Sequence, residues 1–229
     1  MNIIINGGTR GIGKEVVLYL ARDVNNRILV TGRDEKALKY LSYRHDNVYI
    51  KPLDLSVFDS HADSFMKTVT SHFKKVDILI NMAGLLITKE FMDFSSDEAR
   101  LIMETNFTGP ALLIQVIKPL MQEGSHIVNI SSMGGFQGSS KYRGLSFYSA
   151  SKAALASLSE CLALEFLESG ISVNSLALGA VQTEMFEDAF PGFKAPVKAK
   201  EMAEYISGFA MTGHKFMNGK VIPVALNNP

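Results

Sequence analysis

Tyr148 and Lys152 stand four residues apart at the start of the longest helical segment, so their side chains share one face. A phenol with an ordinary pKa of about 10 is a poor acid–base group at neutral pH, and a close ammonium moves it toward usefulness. Taken alone, such a pair reads equally well as a surface contact. Its placement gives it weight. The Gly/Ser-rich stretch Ser131–Phe147 leads into it from an apolar strand-like run. Ser131 or Ser132, at the top of that run, is within reach as a neutral hydrogen-bond donor. Loops that follow strand ends in this way are where open α/β sheets hold their ligands.

A second group lies near the beginning of the chain, where the first strand runs into Asn6-Gly7-Gly8-Thr9-Arg10-Gly11-Ile12-Gly13 and then an amphipathic helix. Glycines here permit positive φ and let a pyrophosphate approach the backbone, and the helix N-terminus offers it free N–H groups. The spacing is Gly-x-x-x-Gly-x-Gly rather than G-x-G-x-x-G, so its strand-before, helix-after context carries the reading. Arg10 lies inside the turn, and Arg33 follows Gly32 at the end of the second strand, where an acid would meet the ribose 2′-hydroxyl of NAD. A guanidinium pairs with a 2′-phosphate, so NADP is expected in preference to NAD. Asp34 either competes with this or caps the next helix. The five histidines (His45, His61, His72, His126, His214) show no close pair with ligand spacing, and no metal site is expected. Cys161, among Leu158, Leu162 and Leu164, reads as a small core residue.

These groups need a scaffold, and the chain supplies an alternating one. Strands are expected at Asn2–Asn6, Arg27–Thr31, Asn47–Ile50, Val76–Ile80, Ser125–Ile130, Ile171–Ser175 and Val221–Val224. Helices are expected at Gly13–Arg22, Glu35–Leu41, Asp59–His72, Asp97–Asn106, Ala111–Met121, Tyr148–Ser169 and Lys200–Phe209, with Ser56 and Ser96 as N-cap signals and Gly170 as a C-cap signal. Most strand runs are apolar on both faces, as a covered parallel sheet requires, so the rhythm predicts a doubly wound α/β fold. Gln182–Ala199, with Phe186, Phe190, Phe193 and two prolines among polar residues, reads as a mobile flap. The 229 residues show no repeat or linker and are expected to form one domain, 1–229, with the substrate flap at 183–200 inside it. Equal numbers of acidic and basic residues (23 each) remove the electrostatic reason to expect nucleic acid or an anionic membrane as partner. A single cysteine, and the lack of a signal-like start or long apolar run, suggest a soluble, cytoplasmic protein.

With these residues in view, the chain resembles a single-domain short-chain dehydrogenase/reductase over essentially its whole length. Asn6–Gly13 is similar to the family's cofactor turn, with Asn6 replacing the usual Thr, and Asp54 in Leu53-Asp54-Leu55 matches the acid that meets the adenine. Asn81-Met82-Ala83-Gly84 resembles the Asn-Asn-Ala-Gly segment that steadies the central sheet. Asn106 matches the asparagine of the proton relay, Ser132 the catalytic serine, and Tyr148 with Lys152 the Tyr-x-x-x-Lys pair. Ser175–Met185 resembles the segment after the sixth strand. Gly179, Val181 and Thr183 fit it, while Leu178 replaces the usual Pro. The resemblance implies a Rossmann-like, seven-stranded parallel sheet of order 3-2-1-4-5-6-7. It implies cofactor contacts at Gly7, Thr9, Arg10, Gly11, Ile12, Gly13 and Arg33, at Asp54 and Leu55, and at Asn81, Ala83 and Gly84. Tyr148, Lys152, Gly179, Val181 and Thr183 complete that set.

The implied chemistry is hydride transfer between nicotinamide and a carbonyl. Tyr148 gives the proton, Lys152 lowers the Tyr148 pKa and holds the nicotinamide ribose, Ser132 polarises the carbonyl, and Asn106 holds a water linking Lys152 to solvent. Several features depart from the family pattern. The loop between Ser132 and Tyr148 is longer than usual, the flap is trimmed, and Leu178 frees the backbone before Gly179. Leu85, Leu86, Phe136, Leu145, Met185, Phe186 and Phe190 suggest an apolar substrate wall. Excess apolar surface on 111–121 and 148–167 suggests a homodimer or homotetramer through those helices. The leading expectation is an NADP-dependent carbonyl reductase or alcohol dehydrogenase. Reduction of a 3-oxoacyl thioester on a carrier protein is an alternative, weakened by Glu123 and Glu168 at helix ends where a basic docking patch would stand. A non-catalytic NADP-binding protein is the reading from a different class, and the intact tyrosine set argues against it.

Overall fold

Isoleucine, valine and leucine runs flanked by helices pair here in parallel, so that both faces of every central strand are covered. The computed structural model describes residues 1–226. In chain order the elements are β1 (Asn2–Asn6), α1 (Gly11–Leu20), β2 (Arg27–Gly32), α2 (Glu35–Arg44), β3 (Val48–Pro52), α3 (Ala62–His72), β4 (Ile78–Asn81), α4 (Ser96–Met103) and α5 (Gly109–Ile117). There follow β5 (His126–Ser132), α6 (Ser146–Glu165), β6 (Ser172–Leu178), β7 (Val181–Gln182), α7 (Glu184–Ala189), β8 (Val197–Lys198), α8 (Ala199–Thr212) and β9 (Val221–Val224). Seven strands form one parallel sheet in the order β3-β2-β1-β4-β5-β6-β9. This is the doubly wound, Rossmann-like order that the resemblance implied, with β9 as the seventh strand.

Alternation along the strands sorts the core into two layers. Ile3, Ile5, Val30 and Ile80 face α1, α2 and α8 through Val17, Leu38 and Ile206. Ile4, Leu29, Leu79 and Ile127 face α3 and α5 through Phe65, Val69, Leu113 and Ile117. One row crosses the sheet with polar residues instead. The Thr31 hydroxyl donates to Asn6 Oδ1 (3.3 Å), Asn6 Nδ2 to Asn81 Oδ1 (3.4 Å), and Asn81 Nδ2 to Asn129 Oδ1 (2.8 Å). Asn129 Nδ2 donates to Ser159 Oγ (2.9 Å), whose hydroxyl ends the row on the carbonyl of Leu155 (2.8 Å). Register places Asn6 beside both Thr31 and Asn81, so the substitution of Asn for the family's Thr adds a member to this row.

Several expectations need correction. Strands β5 and β6 run two or three residues further than their apolar patterns, because Ser131 and Ser132 pair with Ala177 and Leu178. The expected helices 97–106 and 111–121 are one continuous run, α4 and α5 joined by a π-helical segment, Glu104–Thr108. Ser95, not Ser96, caps α4, in a reciprocal box with Glu98. Ser56 is not a cap. Its amide instead donates to Asp54, which caps the following turn (3.0 Å). Gly170, at φ +65°, reverses the chain after α6 as its type predicted. Cys161 is exposed and is not a core residue. The inward stripe of α6 passes through Ser151, Leu155, Ser159 and Ala163, which leaves 161 on the outer side. The segment 182–199, expected as a flap, carries regular structure. β7 and β8 pair in parallel at its base, and the Thr183 hydroxyl caps α7 by accepting from the Phe186 amide (3.2 Å).

Candidate active site

The C-terminal ends of β1, β2, β4, β5 and β6 border a cavity of about 730 Å³, covered by the 183–197 segment. The glycine turn forms one end of it. Gly7 has φ +85°, and a Cβ there would stand 2.5 Å from the Ala83 amide nitrogen, so only glycine lets the turn pack on the end of β4. α1 begins at Gly11, inside the turn, with Arg10 at its N-cap and no side chain spent on the cap. The first amides of α1 are therefore left for an anion at the cavity wall. A side chain at Gly32 would meet Thr9 Cγ2 at 2.6 Å, so the strand-end position that carries an acid in NAD binders could hold one only if the Thr9 side chain shifted. Arg33 lines the cavity beside it, while Asp34 does not border the cavity and caps α2 through the Ala37 amide (3.0 Å). This donor set fits a dinucleotide pyrophosphate, with cations at the end where a 2′-phosphate would lie.

The tyrosine helix forms the opposite wall. Ser132, Tyr148 and Lys152 all border the cavity. Of the two serines left open by sequence, Ser131 is buried and donates to the backbone carbonyl of Lys152 (2.7 Å). That leaves Ser132, whose Oγ accepts from the Gly134 amide (3.1 Å) and lies beside the Tyr148 phenol. Burial raises the Tyr148 pKa, partly offset by the Ser132 hydrogen bond. Burial lowers the Lys152 pKa to about 8. Lys152 Nζ donates to the Ile130 carbonyl (2.9 Å) and keeps two further donors toward the cavity.

Asn106 is fully buried in the π-helical segment. Its Oδ1 accepts from the Leu85 amide (2.7 Å), and its Nδ2 donates to Leu85 O and Ser151 Oγ (both 2.9 Å). One acceptor lone pair remains. A Cβ at Gly84 would lie 3.3 Å from Lys152 Nζ and 3.8 Å from Asn106 Oδ1, so the glycine keeps a gap between these two groups. The neighbouring Thr105 lines the cavity with a buried hydroxyl that has no hydrogen-bond partner among the described residues.

The remaining sequence-predicted contacts divide clearly. Gly7, Thr9, Arg10, Gly11, Ile12, Gly13, Arg33, Asp54, Leu55, Ala83, Gly84, Gly179, Val181 and Thr183 all border the cavity. Asn81 does not reach it, being spent between Asn6 and Asn129 in the buried row. Of the expected apolar wall, Leu86, Leu145, Met185, Phe186 and Phe190 are present, whereas Leu85 and Phe136 are not. The Leu85 backbone holds Asn106, and the Phe136 carbonyl holds the 136–141 turn through Ser139 and Lys141. Phe193 and Lys194 join the wall from the expected flap, and Met133 and Tyr142 join it without having been foreseen, since nothing in their local spacing marks them.

The long 132–148 loop is tied to the segment facing it. Lys89 N donates to Gly144 O (3.0 Å), Arg143 pairs with Glu90 (2.7 Å), and Phe147 stacks on Phe91 with ring centres 5.7 Å apart. Among the described residues there is no group of three or more His, Cys, Asp or Glu suited to a metal ion. No helix among them is long and apolar enough to cross a membrane.

The sequence pattern described as short chain dehydrogenase matches residues 1–192. The chain belongs to the short-chain dehydrogenase family. As a member it is an oxidoreductase that works with NAD(P). An uncharacterised oxidoreductase of Staphylococcus epidermidis is 27% identical over 218 residues, spanning 94% of this chain and 92% of the relative. A short-chain dehydrogenase from Burkholderia cenocepacia in complex with NADP superimposes with a TM-score of 0.87 at 22% identity, covering 97% of this chain and 95% of the other. The Pseudomonas aeruginosa RhlG/NADP active-site complex gives a TM-score of 0.84 at 25% identity, covering 98% and 94%. Within this short-chain dehydrogenase, Thr105 is a further cavity residue that sequence reading passed over. The signal was available only as a hydroxyl next to Asn106.

Proposed function

We propose that this short-chain dehydrogenase is NADP-dependent and acts on a carbonyl or secondary alcohol of an apolar substrate. The observation that carries the reading is one cavity bordered both by the glycine turn with Arg10 and Arg33 and by Ser132, Tyr148 and Lys152. The RhlG complex, solved with NADP, supports the cofactor choice. The chemistry such a cofactor supplies when bound is hydride transfer to or from a carbonyl carbon. Arg33 and Arg10 hold the 2′-phosphate, the first amides of α1 hold the pyrophosphate, and Asp54 meets the adenine. Ser132 donates to the substrate oxygen, and Tyr148, held protonated by its burial, gives that oxygen a proton. Lys152, whose pKa burial lowers to about 8, returns a proton to Tyr148, and a water held by Asn106 Oδ1 would link Lys152 to solvent. The apolar wall excludes bulk water from these transfers.

The domain reading remains one unit, 1–229, with the flap at 183–200 and a cytoplasmic setting. A homodimer or homotetramer would bury α5, α6 and the turn after α6, where Leu164 on α6 and Leu167 in the turn are 75% and 60% exposed.

The test is NADPH and NADH binding by nicotinamide fluorescence, followed by a carbonyl panel. NADPH preference that falls in Arg33→Ala, with turnover lost in Tyr148→Phe, is the expected result. Equal NADH binding, or turnover that survives Tyr148→Phe, overturns the reading.

A further inference from the structure

Thr105 is 8% exposed, borders the cavity, and leaves its Oγ1 without a hydrogen-bond partner among the described residues. A helical threonine ordinarily donates its hydroxyl to the carbonyl one turn back, here that of Leu101, but Thr105 sits in the π-helical segment 104–108 and makes no such bond. A buried hydroxyl left in this state destabilises the protein, and π-helical segments of this kind concentrate at functional sites. The orphan is therefore best explained by a partner that arrives with a ligand.

Its surroundings say which part of the ligand. The helix carrying Thr105 packs on the turn after Asp54, where Gly109 leaves no space for a side chain against the carbonyl oxygen of Leu55. Leu53, Asp54 and Leu55 from the end of β3, and Ala83 and Gly84 from the end of β4, complete that part of the cavity. Asp54 uses Oδ1 to accept from both the amide and the hydroxyl of Ser56 (3.0 and 2.8 Å), so its other oxygen is left for a ligand. The next residue, Asn106, faces away onto Leu85 and Ser151, toward the tyrosine helix. Thr105 thus stands on the adenosine side of the catalytic machinery.

We infer that the Thr105 hydroxyl, which has no partner among the described residues, is a binding contact for the adenosine half of the dinucleotide. This rests on the proposed NADP reading and adds a residue to it.

The test is calorimetric titration of NADPH and of adenosine 2′,5′-bisphosphate, a fragment without nicotinamide, into wild type, Thr105→Val and Thr105→Ser, with melting temperatures of the free proteins. Thr105→Val is expected to weaken both ligands by the same factor, roughly five- to thirtyfold, the effect of one lost hydrogen bond in a buried site. Thr105→Ser keeps the hydroxyl and is expected to stay within about threefold of wild type. Free Thr105→Val should melt no lower than wild type, because it removes an orphaned group. Wild-type affinity for the fragment in Thr105→Val overturns the inference. So does weakened NADPH binding with the fragment unaffected, or a fall in the free variant's melting temperature alongside the loss of affinity. Wild type that takes NADH and 5′-ADP in preference overturns the 2′-phosphate reading alone, and the same comparison with 5′-ADP then decides Thr105. Wild type that binds none of these overturns both.

Discussion

Mild acid should loosen this protein through one buried imidazole. His126 opens β5 and is 0% exposed. Its Nδ1 faces the Ala210 carbonyl at 2.9 Å, and its Nε2 faces Asn174 Nδ2 at 3.0 Å. A carbonyl can only accept, and Asn174 Oδ1 is already taken by the Lys220 amide (3.0 Å). The ring must therefore be neutral, donating from Nδ1 and accepting at Nε2. Burial, reinforced by the His214 ring and opposed by the Ala210 bond, lowers its pKa from 6.5 to about 4. The unfolded chain takes up a proton near 6.5 that the folded chain refuses until about 4. The stabilisation is thus complete above the unfolded value and is lost as the pH falls through that window.

A fall of about 2.5 at ~1.36 kcal/mol per pH unit is about 3 kcal/mol, of which about 2 kcal/mol is lost between pH 6.5 and 5. His214, lowered by burial and by Lys215, adds to the loss with the same sign. Asp77 and Glu98, lowered from 3.8 and 4.5, contribute only in stronger acid. Urea unfolding across this range should show wild type losing about 2 kcal/mol, while His126→Gln starts less stable and changes little. Parallel pH slopes in the two proteins would refute the reasoning. The same bonds hold the 217–220 turn through Asn174 and Met217 O (2.9 Å), so tryptic cleavage near Lys215 or Lys220 should rise in step with the loss.

Three further outcomes are expected. Gly32→Asp alone should gain no NADH binding and lose roughly 1–3 kcal/mol from crowding against Thr9, whereas Thr9→Ala with Gly32→Asp should bind NADH in a fluorescence titration. An NADH preference in the single variant would show that Thr9 blocks nothing. Ser131→Ala removes the 2.7 Å bond to the Lys152 carbonyl and should cost about 1 kcal/mol in thermal unfolding, with a lower kcat at little-changed KM for NADPH. An unaltered melting temperature contradicts this. Leu164→Glu with Leu167→Glu should lower the mass measured by light scattering if α6 is an assembly face, and an unchanged mass removes α6 from the interface.

What the sequence made legible depended on whether a residue's role was set by its neighbours in the chain. The glycine turn, the strand runs and the Tyr148–Lys152 spacing are local patterns, and each is found within two or three residues of its expected place. Asn81 was misplaced because its partners, Asn6 and Asn129, are brought to it only by strand register. Ser131 and Ser132 could not be told apart by spacing, and only the resemblance singled out Ser132, since the difference lies in which one faces a helix carbonyl across the sheet. Cys161 was misread because α6 is apolar around most of its surface, and burial on such a helix is decided by what it packs against. No elements were expected within the flap, because two-residue strands and a six-residue helix are too short to leave a periodic signal.

The polar row from Thr31 to Leu155 also limits how this chain can change. Every member donates in one direction, and the row stops on a backbone carbonyl that can do nothing but accept. Its polarity is therefore set from the α6 end, and all three amides must point the same way. Only a residue that both gives and receives can occupy an interior place, so a carboxylate at position 6, 81 or 129 would break the sequence of donors at that point. Neighbouring substitutions along the row should then be tolerated in matched combinations that preserve its direction, which makes it a ratchet on the drift of β1, β4 and β5.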